Sequence, residues 1–413
     1  MINQTNNYDA ANRLALDRII ACEPALVGIE PAQTALGLRE GELGHAGPPF
    51  ADDEILPATV LNALAGAAMI EGWAKTLHEA QGMIENREIT LHSNHALGTV
   101  SPMAGVVRPS QPLMRVENRN GEGVCYATFA ESGRRALRFG VYDDQVAEQL
   151  AFLEERVAPE IAACLPKEGL AVLPLVAEGV RLGDDVHQRN IGGMYAFIKA
   201  LPNLDTEVRS WLLDNPQHFL NYAMASAKLC LDRARGIEGS SVVVAIARNG
   251  NMCGIQLAGT GEEWFCAPSG IPDGGFYPPF GLDDAQPDLG DSAIMEAFGL
   301  GGTAAHCSPQ IAGLLNTPWP AAVNAGRLQR SFFLEGHPLM NPVLAGTEGL
   351  GLGLDARRVV NEGVGVRIHT GIAHRDGSTG WIGIGAVNAP LDCFSQACKY
   401  LDAIPLTQLE KCV

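Results

Sequence analysis

Residues 217–247, QHFLNYAMASAKLCLDRARGIEGSSVVVAIA, change period part-way along. The first portion carries the apolar spacing of a helix, Gly236 and Gly239 act as helix-stop and linker signals, and SVVVAIA is a continuous β-branched run of the kind that forms a buried strand. A helical block therefore ends here and a strand-rich one begins. Upstream the helical period extends back to residue 142 through VAEQLAFLEERVAPEIAACL, LAVLPLVAEGVRL and GMYAFIKAL. Before that, residues 87–130 show short β-type runs, REITLH, PLMRVEN and GVCYATF, with NRNGEG as a hairpin-like turn. Residues 8–22 and 57–83 read as helices; in the second, Ala65, Gly66, Ala67, Ala68 and Gly72 let another element approach the backbone closely. Downstream come CGIQLAG and EWFCA, then a Gly/Pro/Asp-rich segment, 268–291, read as irregular and functional because long structureless stretches in compact chains usually are. A helix is predicted over 319–335, strands over 358–370 and 381–387, and a last helix from Leu391. No internal repeat interrupts this order. Mixed α/β, then helical, then mixed α/β predicts a multi-domain α+β protein with a mainly helical middle domain, divided as 1–140, 141–236 and 237–413.

Composition narrows the function classes. At 413 residues the chain is long enough for two or three cores at roughly 150 residues each. Forty-seven acidic residues against 29 basic ones give a net charge of −18, which opposes binding to nucleic acid or to an anionic membrane. A small anionic substrate would have to be held by a few local arginines. The ten cysteines, at 22, 125, 164, 230, 253, 266, 307, 393, 398 and 412, form no C-x-x-C pair and read as reduced thiols of a cytoplasmic protein. The beginning, MINQTNNYDAANRLALDRII, lacks the apolar core of a signal peptide, and no apolar run of about 18 residues spans a membrane. Glycine is abundant, 47 residues, which means many tight turns or backbone held close to a ligand.

Several segments carry candidate chemistry. GDDVHQRN places Asp184, Asp185, His187, Arg189 and Asn190 where one helix ends and the next begins. With Asp184 as N-cap, the free N–H groups of the following turn and Arg189 would make an anion site, and His187 could carry a proton near neutral pH. The plainer alternative is a capping aspartate in a solvated turn. ARNG sets Arg248 and Asn249 at the end of an apolar strand, where ligand groups collect in sheet proteins, although an NG pair is also an ordinary hairpin signal. In PDLGDSAIMEAFGLGG, Asp291 reads as an N-cap, with Asp288 and Glu296 as further oxygen donors but no EF-hand spacing. His92 with His95 and His369 with His374 form two pairs that a zinc site could use, without an H-E-x-x-H or C-x-x-C signature. Ser269 and Ser292 lie outside any G-x-S-x-G, and the glycines 299, 301 and 302 match neither dinucleotide nor P-loop patterns.

Taken together, GHAGPP (44–49), LNALAGAAMIEGWAKT (61–76), SPMAGVVRPSQPL (101–113), GDDVHQRN (183–190), FLNYAMASAK (219–228), GDSAIMEAFGLGG (290–302) and HTGIAHRDGSTGWIGIGAVNAPLDCF (369–394) resemble the YlbE-like/AllG-like family. The resemblance covers roughly 40–395, nearly the whole chain. It implies a cytoplasmic bacterial protein and, for one branch, a subunit of oxamate carbamoyltransferase in allantoin catabolism. That enzyme converts oxalurate and phosphate to oxamate and carbamoyl phosphate together with an FdrA-like partner. The expected assemblies are accordingly a homodimer and a complex with that partner, without cofactor or metal. Carbamoyl transfer needs phosphate held, a carbonyl polarised and a proton moved. On these residues, Arg189 and Arg248 are the expected anion clamps, Asn190 and Asn249 the donors to the carbonyl, His187 or His374 the proton carrier, and Asp291 the group that orients a base or the substrate amide. Two other readings stand beside this one: a metal-assisted amidohydrolase using the histidine pairs, and a noncatalytic subunit that stabilises its partner.

Overall fold

The helix of the opening stretch forms the middle of the core. In the computed structural model, which describes residues 2–340 and 349–404, Phe219–Asp232 is helical and every residue from Phe219 to Leu231 is buried. A helix that is apolar nearly all round has no solvent face and needs neighbours on all sides. It packs against Pro24–Pro31, Thr99–Val100, Pro112–Asn118 and Val124–Thr128 of one sheet, and against Val243–Asn249 of another. Its one buried cation, Lys228, reaches Asp232 at 2.7 Å, and Arg235 donates to the same carboxylate at 2.6 Å.

The first sheet has five strands in the order Thr99–Val100, Val124–Thr128, Pro112–Asn118, Pro24–Pro31, Leu170–Ala171. All its pairings are antiparallel except that of Thr99–Val100 with Val124–Thr128. Alternation in the central strand sends Met114 and Val116 into the main core and Leu113 into a smaller cluster with Ala32, Leu38, Val107 and Tyr126. The second sheet runs Phe265–Pro268, Met252–Leu257, Val243–Asn249, Leu289–Gly290, all antiparallel. Its β-branched strand Val243–Asn249 is buried at every position. The last helix, Leu391–Ala403, packs on its outer two strands. A third sheet pairs Asp273–Phe276 and Arg367–Ala373 with the two edges of Trp381–Asn388. One buried apolar cluster runs from Ala11 to Leu401 and draws on all three parts of the chain.

The chain is thus a mixed α+β protein, and its regular elements from 144 to 232 are helices apart from the short strand Leu170–Ala171. Three local expectations change. The helix expected over 57–83 is two, Ala58–Ile70 and Leu77–Glu85, because Gly72 takes a φ of 76° and Thr76 caps the second by accepting from the Glu79 N–H at 3.1 Å. The segment expected as strand from 358 opens as a helix, Ala356–Glu362, with Asp355 as its N-cap and Gly363 at its end with φ 68°; the strand starts at Arg367. Part of 268–291 is regular, since Asp273–Phe276 is a strand. The nine described cysteines are unbonded, and Cys412 lies outside the described residues. Among the described residues no helix is long and apolar enough to cross a membrane.

Candidate functional site

A cavity of about 840 Å³ opens between the helical middle and the C-terminal sheets. Its apolar wall includes Phe139, Leu220, Ile311, Leu314 and Trp381, and His187, Arg189, Asn190, Arg138 and Ser292 supply polar groups. A mostly apolar concavity with a few convergent polar groups is the usual form of a small-molecule site.

The GDDVHQRN turn builds one side of it. Asp185 is fully buried, and its Oδ1 accepts the N–H groups of His187 at 3.2 Å, Gln188 at 3.0 Å and Arg189 at 2.8 Å. The backbone donors expected to form an anion site are therefore occupied by the chain's own carboxylate. Asp185 Oδ2 lies 2.7 Å from His369 Nδ1. Burial alone would raise this carboxyl, but the hydrogen bond and charge of His369 together with the N–H of Arg189 outweigh it and hold Asp185 below the usual range. Directly after the two aspartates the backbone is strained: Val186 has φ 55°, a left-handed conformation that β-branched residues rarely adopt.

His187 faces the other way. Its Nδ1 lies 2.8 and 3.0 Å from the two oxygens of buried Glu296. Glu296 Oε1 also accepts the N–H of Gly302 at 2.8 Å and of His369 at 3.1 Å, so one carboxylate fixes both histidine-bearing segments. The fit depends on glycine: Gly301 has φ 57°, and a Cβ there would stand 2.0 Å from Glu296 Oε1. Facing a carboxylate, Nδ1 carries a proton and donates it to Glu296, and the ring lines the cavity. Asn190 and Gln217 both donate to the His187 carbonyl, at 3.1 and 2.6 Å.

Arg189 lines the cavity and is ion-paired to Asp184. Asp184 also accepts the N–H of Gly193 at 2.8 Å, which stitches the turn to the helix Ile191–Ala200. Burial pushes the Asp184 carboxyl up to about 6 against the pull of Gly193, Gly192 and Arg189. Its pKa when folded exceeds the unfolded value near 3.8, so the folded state binds the extra proton between these values and the contribution to stability falls as pH rises from 4 through 6. Melting curves of Asp184→Asn and the parent protein over that range should show their difference moving in the variant's favour with rising pH; a constant difference would contradict the shift.

Of the residues expected at the site, His187, Arg189 and Asn190 meet at the cavity, and Arg248, Asn249, Asp291 and His374 do not line it. Arg248 is buried under the second sheet, where its Nε and Nη2 reach the two oxygens of Asp288 at 2.7 and 3.2 Å, Nη1 donates to the Gly290 carbonyl, and Thr370 lies at 3.4 Å. Its donors are spent inside the protein. Asn249 holds a turn: its Nδ2 donates to the Pro48 carbonyl at 3.0 Å and its Oδ1 accepts from the N–H groups of Asn251 and Met252. Asp291 does not cap its own helix. It accepts the N–H of Gly47 at 2.8 Å, of Ser101 at 3.0 Å and the Asn94 amide at 2.9 Å, joining three loops at one point; burial raises this carboxyl to about 6 against those donors. His374 lies at the end of the strand Arg367–Ala373, where its Nδ1 accepts the Asp376 N–H at 3.1 Å and its ring meets Phe280 edge-on. The two histidine pairs do not converge, and among the described residues no group of three His, Cys, Asp or Glu side chains is arranged to hold a metal ion.

The sequence reading passed over Arg138, which sits in the charged run ESGRRALRFG. It occupies the 3-10 turn Leu137–Phe139 and lines the cavity, its guanidinium 4.9 Å from the centre of the Phe139 ring. Phe139 is in turn stacked on Trp381, with centroids 5.9 Å apart.

Comparison with known proteins places this architecture. A family model described as oxamate carbamoyltransferase subunit AllG matches residues 89–292. The Escherichia coli K12 protein named oxamate carbamoyltransferase subunit AllG is 35% identical over 406 residues, covering 95% of this chain and 97% of that protein. The uncharacterized protein YahG of the same strain is 32% identical over 400 residues, 94% of this chain and 84% of YahG. A crystal structure of a conserved protein of unknown function from Enterococcus faecalis V583 superposes with a TM-score of 0.90 at 28% identity, over 97% of this chain and 99% of that one.

Proposed function

Since the chain belongs to the AllG family of oxamate carbamoyltransferase subunits, we propose that its cavity is where a carbamoyl group passes between a small amide carboxylate and phosphate. The reaction is oxalurate plus phosphate to oxamate plus carbamoyl phosphate. A phosphate oxygen attacks the ureido carbon, the bond from that carbon to the amide nitrogen breaks, and the proton of hydrogen phosphate ends on the departing nitrogen. His187 is the group that takes that proton and returns it, a task suited to an imidazole held in place by a carboxylate at one nitrogen. Arg189, beside it on the cavity wall, adds positive charge for the phosphate in a protein whose net charge is −18. The observation that carries this reading is the His187–Glu296 contact at 2.8 Å, with the imidazole lining the cavity.

The name of the AllG relative includes the word subunit, and an FdrA-like partner belongs to the proposal. The purified chain, alone and mixed with that partner, is to be assayed for carbamoyl phosphate formed from oxalurate only when phosphate is present. Formation in either mixture is the expected result. No product in both, with oxalurate and with related ureido acids, removes the proposal.

A further inference from the structure

Among the described residues, the two arginines buried as whole residues come with carboxylates, and so does the partly exposed Arg189 on the cavity wall. Arg248 is paired with Asp288, Arg108 with Glu71 and Glu154, and Arg189 with Asp184. Arg138 is different. Among the described residues no carboxylate oxygen lies within 4 Å of its guanidinium; Glu131, the acid whose charge it feels, instead accepts Arg138's backbone N–H at 2.7 Å. Its Nε is shielded from solvent without a hydrogen-bond partner. Burial lowers its pKa, yet an arginine keeps its proton, so a partly desolvated cation stands at the cavity wall. A group of opposite charge arriving in the cavity would pair with it.

We infer that Arg138 is the residue that receives the carboxylate of the substrate in this cavity, an inference that rests on the proposed function for the identity of the substrate but not for the presence of an anion site. The shape favours a carboxylate over a phosphate. The guanidinium lies over Phe139, which is stacked with its plane 9° from that of Trp381, so one side of the fork meets a flat apolar surface. Oxalurate and oxamate are planar acids that can lie along such a surface, with the carboxylate meeting two N–H groups of the fork side by side. A tetrahedral phosphate dianion needs donors from several directions, and the cavity offers these at Arg189 and Ser292 instead, beside His187. Arg138 thereby sets specificity for an acid over its neutral amide.

The test is equilibrium binding to the full chain, alone and in its complex, by calorimetry. The probes are oxamate, oxamide as the neutral counterpart, and inorganic phosphate; the variants are Arg138→Gln and Arg138→Lys. Arg138→Gln is expected to weaken oxamate about 10- to 100-fold, the range for one charge-assisted bidentate contact, with partial recovery in Arg138→Lys and little change for oxamide or phosphate. Retained phosphate binding shows that the variant is folded with its cavity formed. Oxamate bound equally well by Arg138→Gln overturns the inference, as does a loss confined to phosphate or the absence of oxamate binding to the parent protein. If oxamate binding depends on Arg138 in a protein that makes no carbamoyl phosphate, the carboxylate site stands and the proposed reaction alone fails.

Discussion

Exchanging His187 for alanine is expected to lower the turnover of phosphate-dependent carbamoyl transfer by about 10²- to 10⁴-fold, the usual worth of a positioned proton carrier. The reasoning starts at Glu296. Its oxygens hold His187 Nδ1 at 2.8 and 3.0 Å from within the core, and its third and fourth contacts, the N–H groups of Gly302 and His369, leave it no freedom to turn away. The imidazole is consequently fixed in one tautomer and one orientation before substrate arrives, and no reorganisation is needed when the proton moves. KM for oxalurate should change little, because the acid's charge is met elsewhere, and added imidazole should restore part of the turnover by entering the space the side chain leaves. A merely structural histidine would give neither the kcat-against-KM split nor the rescue. Glu296→Gln keeps an oxygen for the N–H donors but loses the charge, so its turnover should fall between those of the parent and His187→Ala. Turnover of His187→Ala near that of the parent protein sinks the assignment.

The two partners of this site explain what a sequence can and cannot disclose. The cluster GDDVHQRN was legible as a polar turn between helices, and so was the possibility that His187 moves a proton. The carboxylates that make the turn work are matched at long range: Glu296 stands 109 residues from His187, and His369 is 184 residues from Asp185. No local spacing encodes those contacts; only the placement of Gly301 and Gly302, where a Cβ would strike Glu296 or the Arg367 carbonyl, hints that a backbone must pass close by. The fold was more readable. The period change over 217–247, the stop at Gly236 and Gly239 and the β-branched strand all depend on neighbours in the chain, and Phe219–Asp232 and Val243–Asn249 follow them closely. Reading failed where two short elements shared one apolar pattern, as over 57–83 and 358–370, although Thr76, Asp355 and Gly363 were there as caps and stops. Arg138 gave no signal, because what marks it is a place on the cavity wall with no carboxylate of the described residues within 4 Å, which exists only in space.

Replacing Arg248 by alanine is expected to destabilise the protein by about 3–5 kcal/mol, and the reason lies in what the change leaves behind. Arg248 and Asp288 are each 1% exposed as side chains, and their contact is two-pronged, at 2.7 and 3.2 Å. Without the guanidinium, Asp288 keeps only the Thr370 hydroxyl, 2.8 Å from Oδ1, and the Gly290 carbonyl loses its donor, so a carboxylate and a carbonyl become uncompensated in a dry interior. The loss should appear as a fall in melting temperature of about 3–6 °C in a chain of 413 residues. The pair's own net worth is much smaller, because both ions also give up their hydration when buried. Arg248→Met with Asp288→Leu should therefore recover much of what the single change loses, as apolar replacements of a buried ion pair often do. The anion-clamp role that the end of strand Val243–Asn249 suggests predicts the opposite pattern for Arg248→Ala: an unchanged melting temperature with weakened oxamate or phosphate binding. Melting and binding measured on the same two variants separate the two accounts, since an arginine already spent on Asp288, Gly290 and Thr370 has no free fork to offer a substrate.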